Sequence, residues 1–388
     1  MDSFISLSVP SLKGNELKYL ADCIETNWVS SVGPYVDRFE REVAHRLGVP
    51  HAVACVNGTA ALHVSLIAAG VQAEDEVIVP TVTFIAPVNA VRYVGACPVF
   101  MDCDDHLNMD AAKLVDFVEK ECHFKDGRLL NRKTGRRVSA VIVVHVFGHP
   151  ANMELIVQLT EKYGLKLIED ATESIGSYYK SLKGKKRFAG SIGDFGCLSF
   201  NGNKLITTGG GGMVLTNDEA SARRVRHLTT QAKEDPLYFR HDEIGFNYRL
   251  TNLQAAVGVA QLEQLEKFIE TKRKNFTTYR ESLCGVTDLR WIEEPEGTYS
   301  NYWHYALVVD KEGDRDRLLI HLREKRIEAR PLWALIHRQR PYQKFQAYRI
   351  EKALRYESAV LNIPCSVSLK EEEIQRVTEV IRSDWRVF

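Results

Sequence analysis

Three segments of the chain carry residue types that together could bind and use an aldehyde cofactor. Lys204 follows an apolar stretch and precedes four consecutive glycines at 209–212. Asp170 comes just after another short apolar run, and Gly58 and Thr59 come just after a third. An amine, a carboxylate at the end of a strand and an anion-binding turn are the protein parts that a pyridoxal phosphate site needs.

Lys204 is the candidate amine. A lysine that bonds covalently to a cofactor must be partly desolvated so that its amine can be neutral. The glycines at 209–212 permit a close backbone approach, although a solvated lysine in a flexible turn is the alternative. The other nearby lysines cluster around Gly184 in the pattern of an exposed hairpin tip; they are Lys180, Lys183, Lys185 and Lys186.

The candidate carboxylate and anion-binding turn each have a second interpretation. Asp170 lies where parallel α/β folds place ligands, at the carboxyl end of a strand. A buried carboxylate there needs a cation, such as a protonated pyridine nitrogen, but Asp also suits a helix N-cap. Gly58 and Thr59 can offer free amides and a hydroxyl to a phosphate at a helix N-terminus, or form an ordinary capped turn. Phe84 could stack on a flat ring or belong to the core.

Charge and composition exclude several classes of partner. Lys plus Arg and Asp plus Glu both number 51, so the formal net charge is zero. Nucleic acids and anionic membranes favour a basic surplus, and we expect neither partner. The longest apolar stretch, 140–148, is too short to span a bilayer. The first residues lack the basic region of a signal peptide, and eight scattered cysteines fit a reducing compartment. We expect a cytoplasmic protein.

Two other kinds of site are not favoured by the sequence. A dinucleotide-binding fold would need Gly-x-Gly-x-x-Gly after the first strand, and that turn is absent. The glycines at 209–212 precede a predicted strand rather than a helix. The twelve histidines show no His-x-x-x-His or Cys/His cluster with ligand spacing. We therefore expect no metal site.

Apolar and β-branched runs alternate with helical patterns over the first 216 residues. Strands that are apolar on both faces and are separated by helices predict a mainly parallel sheet covered by helices, which is an α/β fold. The seven runs that we predict as strands are 51–56, 76–80, 97–101, 140–146, 165–168, 196–200 and 212–216.

The remaining segments predict an insertion and a second domain. Residues 121–139 are polar and contain two turn signals, which predict an inserted surface hairpin. Residues 253–276 predict one long helix with few breaks. We place the domain boundary there, with a large cofactor-binding domain at 1–260 and a small α+β domain at 261–388.

Several motifs resemble one known family across nearly the whole chain. They are Asn57-Gly58-Thr59-Ala60-Ala61-Leu62, Glu169-Asp170-Ala171, Ser199-Phe200 leading to Lys204, and the run 245–256. The chain resembles the DegT/DnrJ/EryC1/StrS sugar aminotransferases, which are fold type I pyridoxal phosphate enzymes. This resemblance implies a mainly parallel seven-stranded sheet in the large domain, a small C-terminal domain and a homodimer whose active site is shared between subunits.

The resemblance also implies a role for each matching residue. Lys204 would bond covalently to the cofactor and move the proton, and Asp170 would hold the pyridine nitrogen protonated. The phosphate would be bound by Gly58, Thr59 and Ser199, and, from the neighbouring subunit, by Asn247. Phe84 would stack on the ring, and Glu173 would lie near the phenolic oxygen. The residues implied at the substrate pocket are Asn27, Trp28 and Ser30.

Two positions depart from the family pattern. Gly210 stands where many members have glutamate, and Glu173 stands where many have glutamine. A carboxylate beside a phenolate is repulsive unless one of them is protonated, so Glu173 bears on how the cofactor is tuned. Some members carry histidine at the lysine position and catalyse dehydration; Lys204 argues against that reaction.

The reaction implied by the resemblance has two halves. Glutamate would convert the cofactor to pyridoxamine phosphate, and a nucleotide-linked keto sugar would then take the amine. The run 14–33 and the insertion at 121–139 resemble the branch that acts on UDP-linked 4-keto-6-deoxy-N-acetylhexosamines, which implies amination at C4 for bacterial surface glycans. Amination at C3 or of another nucleotide sugar is the alternative, and a non-catalytic sensor or scaffold is an alternative of another class.

Overall fold

The computed structural model describes residues 3–235, 237–311 and 313–385. Its α-helices are α1 Glu16–Glu25, α2 Pro34–Leu47, α3 Gly58–Ala68, α4 Ala86–Tyr93, α5 Ala111–Glu121, α6 Met153–Tyr163, α7 Glu219–Thr229, α8 Asn252–Leu262, α9 Leu265–Ser282, α10 Asp314–Glu324, α11 Lys352–Ala359 and α12 Glu371–Trp385. None of these helices is both long and apolar enough to cross a membrane.

The strands fall into several sheets. In chain order they are β1 His51–Cys55, β2 Glu76–Pro80, β3 Cys97–Met101, β4 Cys122–Lys125, β5 Arg128–Asn131, β6 Arg137–Val144, β7 Lys166–Asp170, β8 Tyr178–Leu182, β9 Lys185–Phe188, β10 Phe195–Ser199, β11 Gly212–Thr216, β12 Lys233–Asp235, β13 Arg240–His241, β14 Leu289–Trp291, β15 Thr298–Tyr299, β16 Tyr305–Val309, β17 Arg330–Pro331, β18 Ala347–Tyr348 and β19 Val360–Ile363.

The central sheet confirms the predicted α/β class. Its main path runs β1-β11-β10-β7-β6-β2-β3-β18. The pairs from β10 through β7, β6 and β2 to β3 are parallel, whereas β11 is antiparallel to both of its neighbours. All seven predicted strands are present, and they are almost entirely buried because helices cover both faces.

The central sheet has ten strands rather than the seven predicted. One addition, β18, pairs in parallel with β3 and covers the edge that β3 would otherwise expose. The other two are the hairpin strands β4 and β5, and β5 pairs antiparallel with β6. The amide of Asn131 and the hydroxyl of Thr134 donate to the two carboxylate oxygens of Glu76, each at 2.7 Å. These bonds fasten the hairpin segment to β2.

A second sheet of four strands, in the order β14-β16-β19-β17, is entirely antiparallel. Helices α9, α10 and α12 supply Phe276, Leu318 and Val377 to its buried side. Residues from each end of the chain pair in or beside the sheet formed by the other end. Ile5 pairs with Ile327 beside the four-stranded sheet, and β18 pairs with β3 of the central sheet. The domain division near residue 260 stays a prediction.

The prediction of one helix over 253–276 is wrong, because two helices occupy the region. Helix α8 ends at Leu262 and α9 begins at Leu265. Beside the break, Glu263 accepts hydrogen bonds from Asn15 and Tyr19 of α1 and its N-terminal flank. A hydrophobic period continues through such a break, so sequence periodicity does not reveal it. The lysine-rich segment predicted as a hairpin tip is the hairpin of β8 and β9, with Lys183 and Gly184 in its turn.

Gly196 in β10 has no room for a side chain. An added Cβ would overlap the backbone carbonyl of Gly190, and a backbone clash cannot be relieved by rotating a side chain. We expect Gly196→Ala to destabilise the protein by about 1–3 kcal/mol or more, measured as a lower midpoint of chemical unfolding. Gly202→Ala is the matched control because nothing lies within 4 Å of its added Cβ. Equal midpoints for the two variants would contradict the packing argument.

Candidate active site

A cavity of about 790 Å³ opens at the carboxyl ends of the parallel strands. Val144, Asp170 and Ser199 lie at the last positions of β6, β7 and β10, and all three line it. Thr83 and Phe84 follow β2 and line it too. This edge is where α/β sheets bind ligands, so strand direction alone brings residues distant in sequence to one place.

Lys204 reaches the cavity from the loop after β10. Its side chain is only 13% exposed, and its Nζ lies 4.1 Å from the centre of the Trp303 ring. The indole of Trp303 in turn donates to the carbonyl of Asn203 at 2.8 Å, which ties the ring to the lysine loop. The amine is therefore held in place and largely shielded from water, as covalent chemistry at a lysine requires.

Asp170 is a buried carboxylate at the same edge. Its Oδ1 accepts from the amide of Thr172 at 3.1 Å, and turns follow it, so it does not cap a helix. Burial raises its pKa, while hydrogen bonds from Thr172 and the charge of Lys204 lower it. Such a carboxylate is stabilised by a cationic ligand, which fits the protonated ring nitrogen of pyridoxal phosphate.

Glu169, the residue before Asp170, anchors a buried hydrogen-bond network next to it. Glu169 is fully buried, and its carboxylate accepts from the amides of Gly190, Ile192 and Gly193. His145 donates to it from Nε2 at 3.0 Å, because its Nδ1 accepts from an amide. Burial would raise the pKa of Glu169, but the hydrogen bonds from His145 and from the backbone amides hold it below its usual value. This network orients β7 and was not predicted from the sequence.

The N-terminus of α3 forms an anion-binding turn beside Ser199. The side chain of Asn57 caps the helix by accepting from the amide of Ala60 at 2.7 Å. A Cβ on Gly58 would lie 2.9 Å from the Cβ of Ser199 and 3.1 Å from Thr172, so only glycine leaves this cradle open. Gly58, Thr59 and Ser199 all line the cavity. Amides and hydroxyls converging at a helix N-terminus fit a phosphate.

Glu173 faces the amine from the side of β7. It is 4% exposed, and its Oε1 lies 3.6 Å from the Nζ of Lys204. Its Oε2 accepts from the amide of Phe147 at 2.9 Å, a residue held at a φ of 56°. Burial raises the pKa of Glu173 to about 7, although the charge of Lys204 opposes the rise.

One wall of the cavity is aromatic and comes largely from residues that the sequence did not single out. Trp303 and His304 precede β16, and Trp333 follows β17. Phe147 packs against Trp333 with ring centres 4.9 Å apart. Phe84, which was predicted, is 57% exposed and lies edge-on to Trp333 at 6.5 Å. The run Tyr-Trp-His at 302–304 is the only local signal that could have drawn attention to this wall.

Four predicted residues lie outside the cavity of their own chain. Asn27, Trp28 and Ser30 sit on the exposed segment between α1 and α2, where Asn252 bonds to the carbonyls of Trp28 and Ser30. Asn247 is exposed and pairs with Thr230. A role for these residues at an active site requires a second subunit, so their assignments stay predictions.

One surface group of side chains has ligand spacing that the sequence did not reveal. Ligand atoms of His227, Asp242 and Glu243 lie within 4.8 Å of one another. Arg224 already forms an ion pair with Glu243, and the Nε2 of His227 donates to the carboxylate of Asp242 at 2.7 Å. These mutual contacts account for the grouping without an ion.

Taken together, these residues fit pyridoxal phosphate: a shielded amine, a buried carboxylate and an open phosphate cradle line one cavity of an α/β fold. The fold and site therefore define a pyridoxal phosphate enzyme. The chain belongs to the DegT/DnrJ/EryC1/StrS aminotransferase family, whose model matches residues 10–382. It is a pyridoxal phosphate-dependent aminotransferase.

Known proteins resemble the chain over almost its full length. The putative pyridoxal phosphate-dependent aminotransferase EpsN of Bacillus subtilis is 38% identical over 98% of this chain and 96% of its own length. The GDP-perosamine synthase of Escherichia coli O157:H7 is 36% identical over 97% and 98%. The crystal structure of a DegT DnrJ EryC1 StrS aminotransferase from Brucella abortus is 30% identical, covers 95% of each chain and has a TM-score of 0.86.

Proposed function

We propose that the enzyme transfers an amino group from glutamate to the C4 keto carbon of a UDP-linked 4-keto-6-deoxy-N-acetylhexosamine. The observation that carries the proposal is the shielded amine of Lys204 in a cavity that also contains Asp170 and the phosphate cradle. The cavity, at about 790 Å³, lies within the range of small-molecule sites. The choice of a UDP-linked sugar rests on the resemblance of residues 14–33 and 121–139 to one branch of the family.

Each site residue has a distinct task in the proposed reaction. When bound, pyridoxal phosphate supplies an electron sink for the substrate carbon that loses a proton. Lys204 would anchor the cofactor covalently, and its Nζ would move a proton at that carbon. Asp170 would hold the positive charge on the ring nitrogen, and Gly58, Thr59 and Ser199 would hold the phosphate. Trp303 keeps bulk water away from the amine.

We also propose that two copies of the chain associate and share their active sites. Two exposed groups of apolar side chains support this, because large exposed apolar patches mark interaction surfaces. The first, between α1 and α2, comprises Trp28, Val29 and Val32, which are 48%, 43% and 59% exposed. The second, around β12 and β13, comprises Leu237, Tyr238, Phe239 and Ile244, which are 68–85% exposed. Light scattering should give the mass of a dimer; a monomer in the active preparation would refute the sharing.

A GDP-linked sugar is the second candidate substrate. The observation in its favour is the 36% identical relative named GDP-perosamine synthase, since perosamine is a 4-amino sugar. Both candidates place the new amine at C4, so the reaction at Lys204 is the same and only the nucleotide and the sugar substituents differ.

Two experiments test the proposal in order. The first is an absorption spectrum of the purified protein before and after adding glutamate. We expect a visible band that fades as the cofactor becomes pyridoxamine phosphate; a band that glutamate leaves unchanged would favour a non-catalytic sensor. The second is an assay of UDP-, GDP- and dTDP-linked 3-keto and 4-keto sugars. The highest kcat/KM with a 3-keto sugar would overturn the C4 assignment, and the highest kcat/KM with a GDP- or dTDP-linked sugar would overturn the UDP assignment.

A further inference from the structure

Glu173 and Asp170 are two buried carboxyl groups near the ammonium of Lys204, which forms an ion pair with Glu173. Glu173 is 4% exposed and Asp170 is 3% exposed. The Nζ of Lys204 lies 3.6 Å from Glu173, and its charge acts on both acids. Burying a carboxylate is costly unless a cation or hydrogen-bond donors compensate it. The charge state of Glu173 therefore depends on where the ammonium of Lys204 is.

Within the described part of the chain, Lys204 is the cation that acts on Glu173. From the turn at residues 146–148 its carboxylate accepts a hydrogen bond from the amide of Phe147. The segment before β16 contributes the side chain of Asn301, which donates to the Glu173 carbonyl rather than to its carboxylate. His304 lines the same cavity, but burial keeps it neutral by holding its pKa well below the usual value. Among the described residues, the charged groups acting on Glu173 are Lys204 and Asp170.

We propose that Glu173 takes up a proton when Lys204 leaves this ion pair to bind the cofactor, so that the loaded enzyme presents a neutral carboxyl that donates a hydrogen bond into the cavity. The inference rests on the proposed role of Lys204 as the covalent anchor. A neutral carboxyl is a donor as well as an acceptor, and it avoids repulsion with Asp170 and with the anionic oxygens of the cofactor.

The atoms and charges balance in two steps. When the Lys204 nitrogen bonds to the aldehyde carbon, it loses two hydrogens, which leave with the aldehyde oxygen as water. The nitrogen keeps one hydrogen and its positive charge, and the phenolic oxygen of the cofactor compensates that charge. The Glu173 carboxylate, which has lost its partner, takes one proton from solvent and becomes a carboxyl group.

The pH range follows from the direction of the shifts. Before loading, the pKa of Glu173 is about 7 even though Lys204 lowers it. In the loaded enzyme the phenolic oxygen compensates the charge on the Lys204 nitrogen, which weakens that lowering influence, so the pKa of Glu173 rises above this value. Below about pH 7 the group is already protonated in both states, and above it the loaded enzyme holds an additional proton. Cofactor loading should thus be coupled to proton uptake in mildly alkaline solution.

The matched variant is Glu173→Gln. Glutamine has the same shape and its carbonyl oxygen can still accept from the amide of Phe147, which supports that strained residue. It cannot take up a proton at these pH values. Thermal unfolding of the variant without cofactor checks that the fold is kept. Asp170 is present in both proteins, so any infrared signal from its carboxyl group appears in both spectra.

The test is an infrared difference spectrum of the loaded minus the unloaded protein at pH 8, with loading verified by the visible band. We expect a carbonyl-stretch band of a protonated carboxyl that shifts in deuterium oxide, and we expect Glu173→Gln to lack it. A loaded wild type without this band, or a band that persists in the variant, would overturn the inference. A protein that never develops the visible band would instead refute the anchoring role of Lys204. If the protein is not soluble enough for infrared spectroscopy, calorimetry of cofactor binding in two buffers of different ionisation enthalpy counts the protons taken up. We expect the wild type to take up more protons than Glu173→Gln at pH 8, and equal uptake would overturn the inference.

Discussion

Lys204→Ala should abolish the visible absorption of the bound cofactor and lower transamination by at least about 10³-fold, because the variant loses both the covalent anchor and the group that moves the proton. The amine is 13% exposed and lies against Trp303, and no other lysine lines the cavity among the described residues. The loss should appear in kcat rather than in KM, since Lys204 acts on the reacting atoms.

A matched control separates this loss from the removal of any lysine. Lys185 lies at the exposed β8–β9 hairpin and is absent from the cavity, so Lys185→Ala should retain the wild-type spectrum and turnover. Lys204→Arg keeps the positive charge beside Glu173 but has no amine that can bond to an aldehyde, and it should be as inactive as Lys204→Ala. Full turnover in either Lys204 variant would show that the proposed mechanism is wrong.

Asp170→Asn should lower turnover by about 10²–10³-fold, the range typical of removing one preorganised electrostatic group. The amide has nearly the same volume, and it can still accept from the amide of Thr172. It cannot hold a positive charge on the ring nitrogen, so the cofactor becomes a weaker electron sink. Because Lys204 is intact, we expect the visible band to remain, and rapid-mixing kinetics with glutamate to show a slow first half-reaction.

The persistence of the band distinguishes this electrostatic role from a structural one. Disruption of β7 would reduce both cofactor binding and thermal stability, whereas loss of the charge alone leaves both in place. Asp316→Asn is the control, since Asp316 is 67% exposed, forms an ion pair with Arg315 and does not line the cavity. Wild-type half-reaction rates in Asp170→Asn would contradict the assignment of this carboxylate to the ring nitrogen.

The predictions that succeeded rest on sequence patterns that span a short run of consecutive residues. All seven predicted strands were found, because apolar periodicity acts over short distances. The position of Asp170 at the end of a strand followed from the same patterns, and Ser199 lay within the predicted strand 196–200. The direction of the parallel strands then required both residues to lie at one edge of the sheet.

The predictions that failed concerned pairing between distant segments. Strand β18 joins the central sheet from position 347, yet nothing in its two residues marks them as a strand. The break between α8 and α9 is accompanied by contacts from α1 to Glu263. Such features depend on contacts between segments that are distant in sequence, and local sequence patterns do not contain that information.

By itself, then, the sequence determined the chemistry available to this protein: an amine in a glycine-rich loop, a carboxylate after a strand and a cradle at a helix start. Only the tertiary structure decided how that chemistry is tuned. It brought Trp303 from a hundred residues away onto Lys204, placed Glu173 against the same amine and left Asn247 outside its own cavity. The physical reason is that residue type is a local property, whereas burial, charge pairing and the pKa shifts they produce are sums over every group that packs nearby.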